Sequence, residues 1–591
     1  LTDLKWLVFG FICAASAAQA QDVRLNSAQA RGALDDASLL RALDDTAVPQ
    51  DYIAAARADY RRLLTALYAQ GYYAGQISIT VDGTEASRIA PLSAPSSISK
   101  VVINVSPGPR FTFGEVSITP LPMGAELPQD LGPRQPARSG QISSAVSGGV
   151  NSWRDQGYAV ARVASQRITA RHFDEKLDVA VALDPGPLVR FGDLTVTGNE
   201  TVSADRVRQI AGLPTGEVYS PSDIDAAERR LRRTGTFDSV AVTQADDLSD
   251  GAVLPMTVQL DESKRRRFGF GLEMSTIEGL TVSSFWLHRN LLGGAERLRV
   301  DVEVAGIDGE TGGTDYSLRG NFTRPATFGP DTEFFLTSEL SREDEPDYLI
   351  DKFAVETGFS RILSDDLTVR VGVGLLTARE ESDLGAREYT LLTLPLDATY
   401  DRRDSETNAK SGYYLDVSST PFVSLGADVK GLRLFGDARG YYSFGEEQKL
   451  TFAGRLQFGS IVGADIDQAP ADYLFYSGGG GTVRGQPYKS LGIDSVVGGT
   501  AVTTGGTSFA GAQLEARYRV RDKISLVGFY DVGQIGDTDL PLEDGDWHAG
   551  AGIGLRYETG IGPIRLDIGT QASGDDAGED VQVYIGIGQA F

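Results

Sequence analysis

Past residue 20 this chain nowhere offers about eighteen consecutive apolar residues, the length a helix needs to cross a bilayer. From residue 268 onward it instead alternates. Phe268, Phe270, Leu272 and Met274 are interleaved with Gly269, Gly271 and Glu273. Near the other end, Val581, Val583, Ile585 and Ile587 are interleaved with Gln582, Tyr584, Gly586 and Gly588, and Phe591 follows. Period-2 patterning in segments of about ten residues is how strands cross a membrane, one face to lipid and the other to a lumen. Closing such a sheet pairs these two segments. The apolar residues are expected on lipid and the glycines on the lumen; glycine weakens strand packing, so either the seam is the weakest line of the barrel, or the glycines make room for a loop inside it, or both.

Four glycines, Gly478 to Gly481, run into Thr482-Val483-Arg484-Gly485. Glycine lets the backbone turn back without steric cost, and the arginine supplies one permanent planar charge that can grip a carboxylate through two bonds. Asp531 offers such a carboxylate. In Phe529-Tyr530-Asp531-Val532-Gly533, alternation puts Phe529, Asp531 and Gly533 on one face, with Gly533 leaving room for an incoming loop. A nucleotide loop is excluded, because no Gly-Lys-Ser/Thr and no strand-to-helix pattern surrounds the glycines.

A cleavable leader is expected over residues 1–20. Lys5 gives its positive end, Trp6 to Ala15 its apolar stretch, and Ala18-Gln19-Ala20 its cleavage site. Cleavage there would remove Cys13, the sole cysteine, and leave no thiol chemistry. A formal charge of −26 argues against a nucleic-acid partner. The three histidines, His172, His288 and His548, are isolated, with no metal-ligand spacing and no nucleophile motif. Neither catalysis, nor a metal, nor a cofactor is expected.

The N-terminal part is organised by a repeat. Pro107-Gly108-Pro109 and then Phe113-Gly114-Glu115 recur 78 positions later as Pro185-Gly186-Pro187 and Phe191-Gly192-Asp193. Helices ending at glycine before an aromatic recur at Gly71, Gly157 and Gly235, and strands ending at Ser106, Asp184 and Asp261. Three copies of one unit follow, each a strand, helices, then two strands. In the third, Phe191 to Val196 is a strand and Ser203 to Ile210 a helix closed by Gly212. Ser220 caps a second helix with Pro221 first, burying Ile224, Ala227 and Leu231. In the first, a helix over Tyr52 to Gln70 presents Ile53, Ala56, Tyr60, Leu63 and Leu67. In the second, Val146, Val150 and Trp153 form the apolar face. Lys264-Arg265-Arg266-Arg267 then precede the barrel, as a solvated collar or as side chains reaching leaflet phosphates.

These units resemble POTRA domains, the polypeptide-transport-associated modules that precede outer-membrane assembly barrels; Gly235-x-Phe237-x-x-Val240 is similar to the usual end of their second helix. The rest resembles the barrel of the same superfamily. Asn290-Leu291-Leu292-Gly293 with Glu296 is similar to its opening turn. Asp401 to Tyr413, with Arg403, Asp404 and Gly412, is similar to a later one, although Ala409 replaces the common proline and implies a looser turn. Val483-Arg484-Gly485 matches the loop motif, with Gln486 where an aromatic is usual. Phe529-x-Asp531-x-Gly533 matches the strand motif paired with that loop, which implies Asp531 as the partner of Arg484. Gly552-x-Gly554-x-Arg556-Tyr557 and Gly562 to Asp567 match the penultimate hairpin.

The resemblance implies α+β POTRA repeats at 21–107, 108–186 and 187–263, then an all-β barrel of about 16 antiparallel strands over 264–591, in the outer membrane of a Gram-negative bacterium with the modules in the periplasm. Its plug-loop motif is Val483, Arg484 and Gly485; the partner strand carries Phe529, Asp531 and Gly533; the lateral seam comprises Phe268, Phe270, Gly271, Ile585, Gly586, Gly588 and Phe591. Three modules point to the TamA-like branch, which implies insertion of autotransporter-type barrels, unfolded outer-membrane protein substrates, contact with outer-membrane lipid, and a TamB-like partner anchored in the inner membrane. The alternatives are a two-partner-type secretion pore passing an unfolded exoprotein and a component of a lipid-delivery bridge.

Overall fold

The computed structural model describes residues 22–591 apart from 45, 91–94, 246, 250, 276–278, 310–311, 346–347, 383–384, 446, 498–499, 561, 575–576, 579 and 589–590. The expected leader lies outside the described residues. The chain divides into two compact units: one is Leu1–Asp193 with Pro214–Asp223 and Asp246–Pro255, the other Leu194–Leu213, Ile224–Ala245 and Met256–Phe591.

Three small α/β sheets come first. In the first, the strands are ordered Asp22–Ser27, Lys100–Ser106, Gln76–Val81 and Thr84–Glu85. The helix Pro49–Gln70 buries Ile53, Ala56, Leu63 and Leu67 completely on this sheet. It starts three residues before the expected Tyr52. Proline suits the first helical position, and the Asp51 carboxylate accepts the Val48 N–H at 2.9 Å. It ends at Gly71, whose φ of 90° only glycine adopts at little cost.

The second sheet is ordered Thr112–Thr119, Lys176–Asp184, Arg162–Arg171, under the helix Ser139–Asp155. The buried face of that helix is Ile142, Ala145 and Gly149, with Val146, Val150 and Trp153 only half-buried at its flank. Gly149 causes the difference. With no side chain there, Leu183 and Leu121 come so near that a Cβ would lie 3.0 and 3.2 Å from them, and the helix turns its small residues to the sheet.

The 78-residue repeat is visible as recurring hydrogen bonds. The Phe111 N–H donates to Gly71 O at 2.8 Å, and the Val189 N–H to Gly157 O at 2.9 Å. Phe111 O accepts from Ala137 N–H, and Val189 O from Tyr219 N–H. Each joint between consecutive units is thus stitched by the same residue pattern.

The third sheet is ordered Arg190–Thr197, Val253–Glu262, Phe237–Gln244. Its helices are Ala204–Ala211, capped by the Ser203 hydroxyl accepting the Arg206 N–H, and Pro221–Arg233, which buries Ala227 and Leu231.

Among the described residues from Arg266 to Ile587, 17 strand segments form one antiparallel sheet whose order returns on itself. Gly385–Thr393 and Leu396–Asp401 occupy one strand position, since Leu367–Ser382 pairs with both on one side and Gly412–Ser424 with both on the other. Pro395, which has no N–H for a ladder, lies at the break. Counted by position the sheet has sixteen strands, as its length implies. Phe268, Phe270 and Leu272 are exposed on the outer face, as are Val581, Ile585 and Ile587. The long connection 463–507 between Leu450–Val462 and Ser508–Arg521 supplies buried residues to the lumen.

Within the second unit, the part of helix Pro221–Arg233 from Ile224 onward is pinned to a barrel turn. Arg230 and Arg233 reach Asp331 at 2.6 and 3.0 Å. The Glu262 carboxylate accepts the N–H groups of Glu200, Thr201 and Val202, each at 2.9 Å. Asn290 of the Asn-Leu-Leu-Gly turn donates to the Thr201 hydroxyl at 2.9 Å and accepts the Ala295 N–H. The later turn is not loose at Ala409: Asp404 accepts the Lys410 and Ser411 N–H groups, and Ala409 itself is buried.

Glu262 titrates below the usual carboxylate range. Burial pushes it up, but the Thr201 hydroxyl and the three backbone N–H groups outweigh burial. A depressed folded value means its stabilisation is complete above the unfolded value of about 4.3 and fades as pH falls through the folded one. Exchange protection of the Thr201 and Val202 amides, corrected for intrinsic rates, should therefore drop between pH 5 and 3 (roughly the window of that titration) and Glu262→Gln should flatten the profile. Constant wild-type protection across that window would refute the clamp.

Candidate functional site

The lumen connection turns at its glycines. Gly478 and Gly479 take φ of 116° and 84°, and the Thr482 hydroxyl closes the turn by accepting the Gly478 N–H at 2.8 Å. The turn carries Val483 and Arg484 to the barrel wall, where both are wholly buried. Gly533 and Gly550 are the wall there. A methyl on Gly533 would crowd Ser477 and lie 2.9 Å from Val483, and one on Gly550 would collide with the Arg484 carbonyl.

Arg484 is gripped by Asp531 from two directions at once: Nε donates to one oxygen at 2.7 Å and Nη2 to the other at 2.9 Å. Its backbone N–H adds a third bond at 3.1 Å. The guanidinium lies 3.8 Å from the centre of the Phe529 ring. Nη1 goes further, to Glu515 at 2.5 Å and Asp567 at 3.2 Å. Arg556 bonds Asp567 and reaches Glu515 at 3.4 Å, while Arg517 donates to Glu515 at 2.7 Å. Three carboxylates and three guanidiniums thus form one buried network. Burial alone would lower the Arg484 pKa; its bonds to Asp531 and the charges of Glu515, Asp531 and Asp567 outweigh burial, so it is raised and the charge is permanent.

Glu515, Asp567, Arg556 and Arg517 were not predicted as site residues. Asp567 and Arg556 stand inside the Gly562–Asp567 and Gly552–Tyr557 motifs, and their alternation with apolar residues was the available signal. Gln486, in place of an aromatic, still anchors the loop: it is buried and donates to Ala549 O at 2.8 Å. His548 accepts or donates a 2.7 Å bond to the Ser477 hydroxyl, a second anchor. Gly485 takes a φ of 94°, and its N–H donates to the Tyr584 hydroxyl at 3.1 Å, which ties the loop to the last strand.

The seam residues are arranged differently from the expectation. The first strand, Arg266–Ser275, is laddered to Gly279–Arg289 along its whole length. The last, Val581–Ile587, is laddered to Gly562–Gln571. Between first and last, the pair found among the described residues is Ser275 with Tyr584. Phe268, Phe270 and Gly271 therefore have no described ladder partner in Ile585 or Gly586. Of the glycines of the first strand, Gly269 is half-buried against the Phe285 ring, while Gly271 is exposed, with the Ser283 hydroxyl beside it. Phe591 is not part of the strand. Gly588, with φ of 103°, follows the strand end, and Phe591 is buried among Ala409, Tyr441 and Ala453, its carbonyl accepting the Tyr441 hydroxyl at 2.9 Å. An aromatic ring without a lipid-facing position in the ladder finds its apolar contacts in the lumen instead.

A closed sheet of membrane-strand pattern, small α/β modules before it and an arginine-bearing loop inside it define an outer-membrane barrel with periplasmic POTRA modules. The chain belongs to the Omp85 superfamily, a group of outer-membrane assembly and secretion factors: the Omp85 superfamily domain matches residues 290–591, and the surface antigen variable number repeat (POTRA) matches 189–263. Among curated proteins it is 23% identical over 528 residues to the outer membrane protein assembly factor BamA of Neorickettsia risticii (strain Illinois), covering 83% of this chain and 68% of that one. Its fold is similar to BamA from Haemophilus ducreyi lacking POTRA domains 1–3 (TM-score 0.64, 16% identity, 80% of this chain and 99% of that one). It is also similar to CdiB from Acinetobacter baumannii (TM-score 0.50, 14% identity, 81% and 89%).

The network makes the two sides of the arginine contact unequal. Arg484→Ala leaves three carboxylates short of a counter-charge and should cost about 3–5 kcal/mol, the range for breaking a buried pair. Asp531→Ala leaves Arg484 with Glu515 and Asp567 and should cost less. The double variant should be no worse than Arg484→Ala alone. Urea midpoints of the heat-modifiable species in detergent measure all three; an additive double variant would show that the pair is not one energetic unit.

Proposed function

We propose that this protein is a TamA-like assembly factor that inserts autotransporter-type β-barrels into the outer membrane by strand addition between its first and last strands. The observation that carries this reading is the seam: a single described pair, Ser275 with Tyr584, against ladders that run the length of the neighbouring pairs. Unpaired backbone groups on a strand edge are a template for another strand. On this reading the unfolded client enters at the seam, residues 21–107, 108–186 and 187–263 are the three periplasmic modules, and a TamB-like protein from the inner membrane docks on them. The Arg484 network keeps the loop in the lumen while the seam works.

A secretion pore is the competing reading. It requires the loop to leave the lumen, and so requires Arg484 to abandon three carboxylates in a site without solvent. The buried network favours the lateral route.

The register at Ser275 and Tyr584 places residues 274 and 585 opposite each other. With Cys13 removed by serine, Met274→Cys with Ile585→Cys can be oxidised across the seam. Insertion of a purified unfolded autotransporter barrel into proteoliposomes should stop on oxidation and resume on reduction. Undiminished insertion by a quantitatively cross-linked protein would sink the lateral mechanism and promote the pore.

A further inference from the structure

A groove of about 930 Å³ lies at the periplasmic rim, where the third module's loop meets the barrel turns at 290–296 and 325–331. One side is aromatic. Phe322 meets Phe334 edge-on at 6.4 Å and Phe334 meets Phe359 edge-on at 5.8 Å, while Phe359 and Phe328 are tilted at 5.4 Å between ring centres. The other side is polar: it carries the guanidiniums of Arg206 and Arg324 together with the carboxylates of Glu200 and Glu296.

The groove opens to lipid. Phe322 and Arg324 share a strand face with the exposed Tyr316 and Leu318, Phe334 shares one with Leu336 and Leu340, and Phe359 one with Phe353. Phe328 is 90% exposed and has a φ of 63°. A bulky residue in the left-handed region is strained, and such strain persists where the surroundings use it. Here it projects an apolar ring outward at the level where aromatic girdles meet headgroups.

The two guanidiniums are incompletely answered from within the protein. Arg206 donates through Nη1 to Gln209 at 2.6 Å and through Nη2 to Pro325 O at 2.5 Å; its buried Nε has no hydrogen-bond partner among the described residues. Arg324 approaches Glu296 only at 3.8 Å. Glu296 turns Oε2 to its own turn, accepting the Leu292 and Gly294 N–H groups, and leaves Oε1 as the single carboxylate oxygen toward Arg324. The pKa of Arg206 is lowered, by burial first and by the Arg324 charge second, with Glu296 opposing. Two arginines that repel each other beside an aromatic wall call for an anion with a hydrocarbon tail.

We propose that this groove binds an anionic glycerophospholipid of the periplasmic leaflet, its phosphate between Arg206 and Arg324 and an acyl chain along Phe322, Phe334, Phe359 and Phe328. A free phosphate would leave the rings uncovered. An apolar protein segment would leave the arginines unanswered.

The test uses the full chain reconstituted in phosphatidylcholine vesicles containing a phosphatidylglycerol with a diazirine in its acyl chain. After photolysis, the label should map by mass spectrometry to peptides within 322–359. Arg206→Gln with Arg324→Gln should lower labelling at least fivefold, while the corresponding double lysine variant keeps at least half, with heat-modifiable mobility confirming a folded barrel in each. A diacylglycerol with the same diazirine should label fivefold less, and excess inorganic phosphate should not compete. Phe328→Gln, at an exposed position, supplies an independent variant and should lower labelling about threefold. Equal labelling of the double glutamine variant, equal labelling by diacylglycerol, full competition by inorganic phosphate, or no effect of Phe328→Gln would each overturn the assignment.

Discussion

A guanidinium removed from water has to be answered on several sides, and Arg484 is answered by carboxylates on three wall strands: Glu515 on Ser508–Arg521, Asp531 on Ile524–Gly536 and Asp567 on Gly562–Gln571. Arg556, on the intervening strand Asp546–Thr559, closes the circuit. Charge interactions in such a site are only weakly screened, so each member is needed by the others. The network therefore does two jobs with one set of atoms. It holds a long connection inside the lumen, and it fixes four consecutive strands to a common point.

The closing end of the barrel depends on the same point. Gly485 bonds Tyr584 of the last strand directly. A second route runs through Arg517, which bonds Glu515 and lies 5.7 Å from the Phe591 ring. The last strand is thus tied to the lumen loop on its inner face and to its predecessor by a full ladder, and has one described pair with the first strand. A seam that is poor in backbone bonds remains positioned because its partner strand is held from inside. At the rim, Glu262, Thr201 and Asn290 play the corresponding part for the third module, with backbone N–H groups answering the carboxylate.

Much of this was legible because it rests on local chemistry. Helix ends at Gly71 and Gly212 follow from a left-handed cap, and the start at Ser203 from a hydroxyl acceptor. The alternation in the terminal strands gave their outer faces. What was misread involved neighbours distant in sequence. The face of helix Ser139–Asp155 was set by Leu183 and Leu121 pressing on Gly149.

The sequence by itself determined the class of fold, the repeat, and a glycine-hinged loop carrying one permanent charge at Arg484, since period, glycine caps and a single arginine are properties of short segments; Asp531 as its partner came from the likeness of Phe529-x-Asp531-x-Gly533 to the family's strand motif. Only the tertiary structure decided that Glu515, Asp567, Arg556 and Arg517 complete the site, that Phe591 turns inward to Tyr441, and that Arg206 and Arg324 face an aromatic wall. Each of these depends on strand register and barrel closure, which bring together residues dozens to hundreds of positions apart, and alternation fixes a strand's faces without fixing its register.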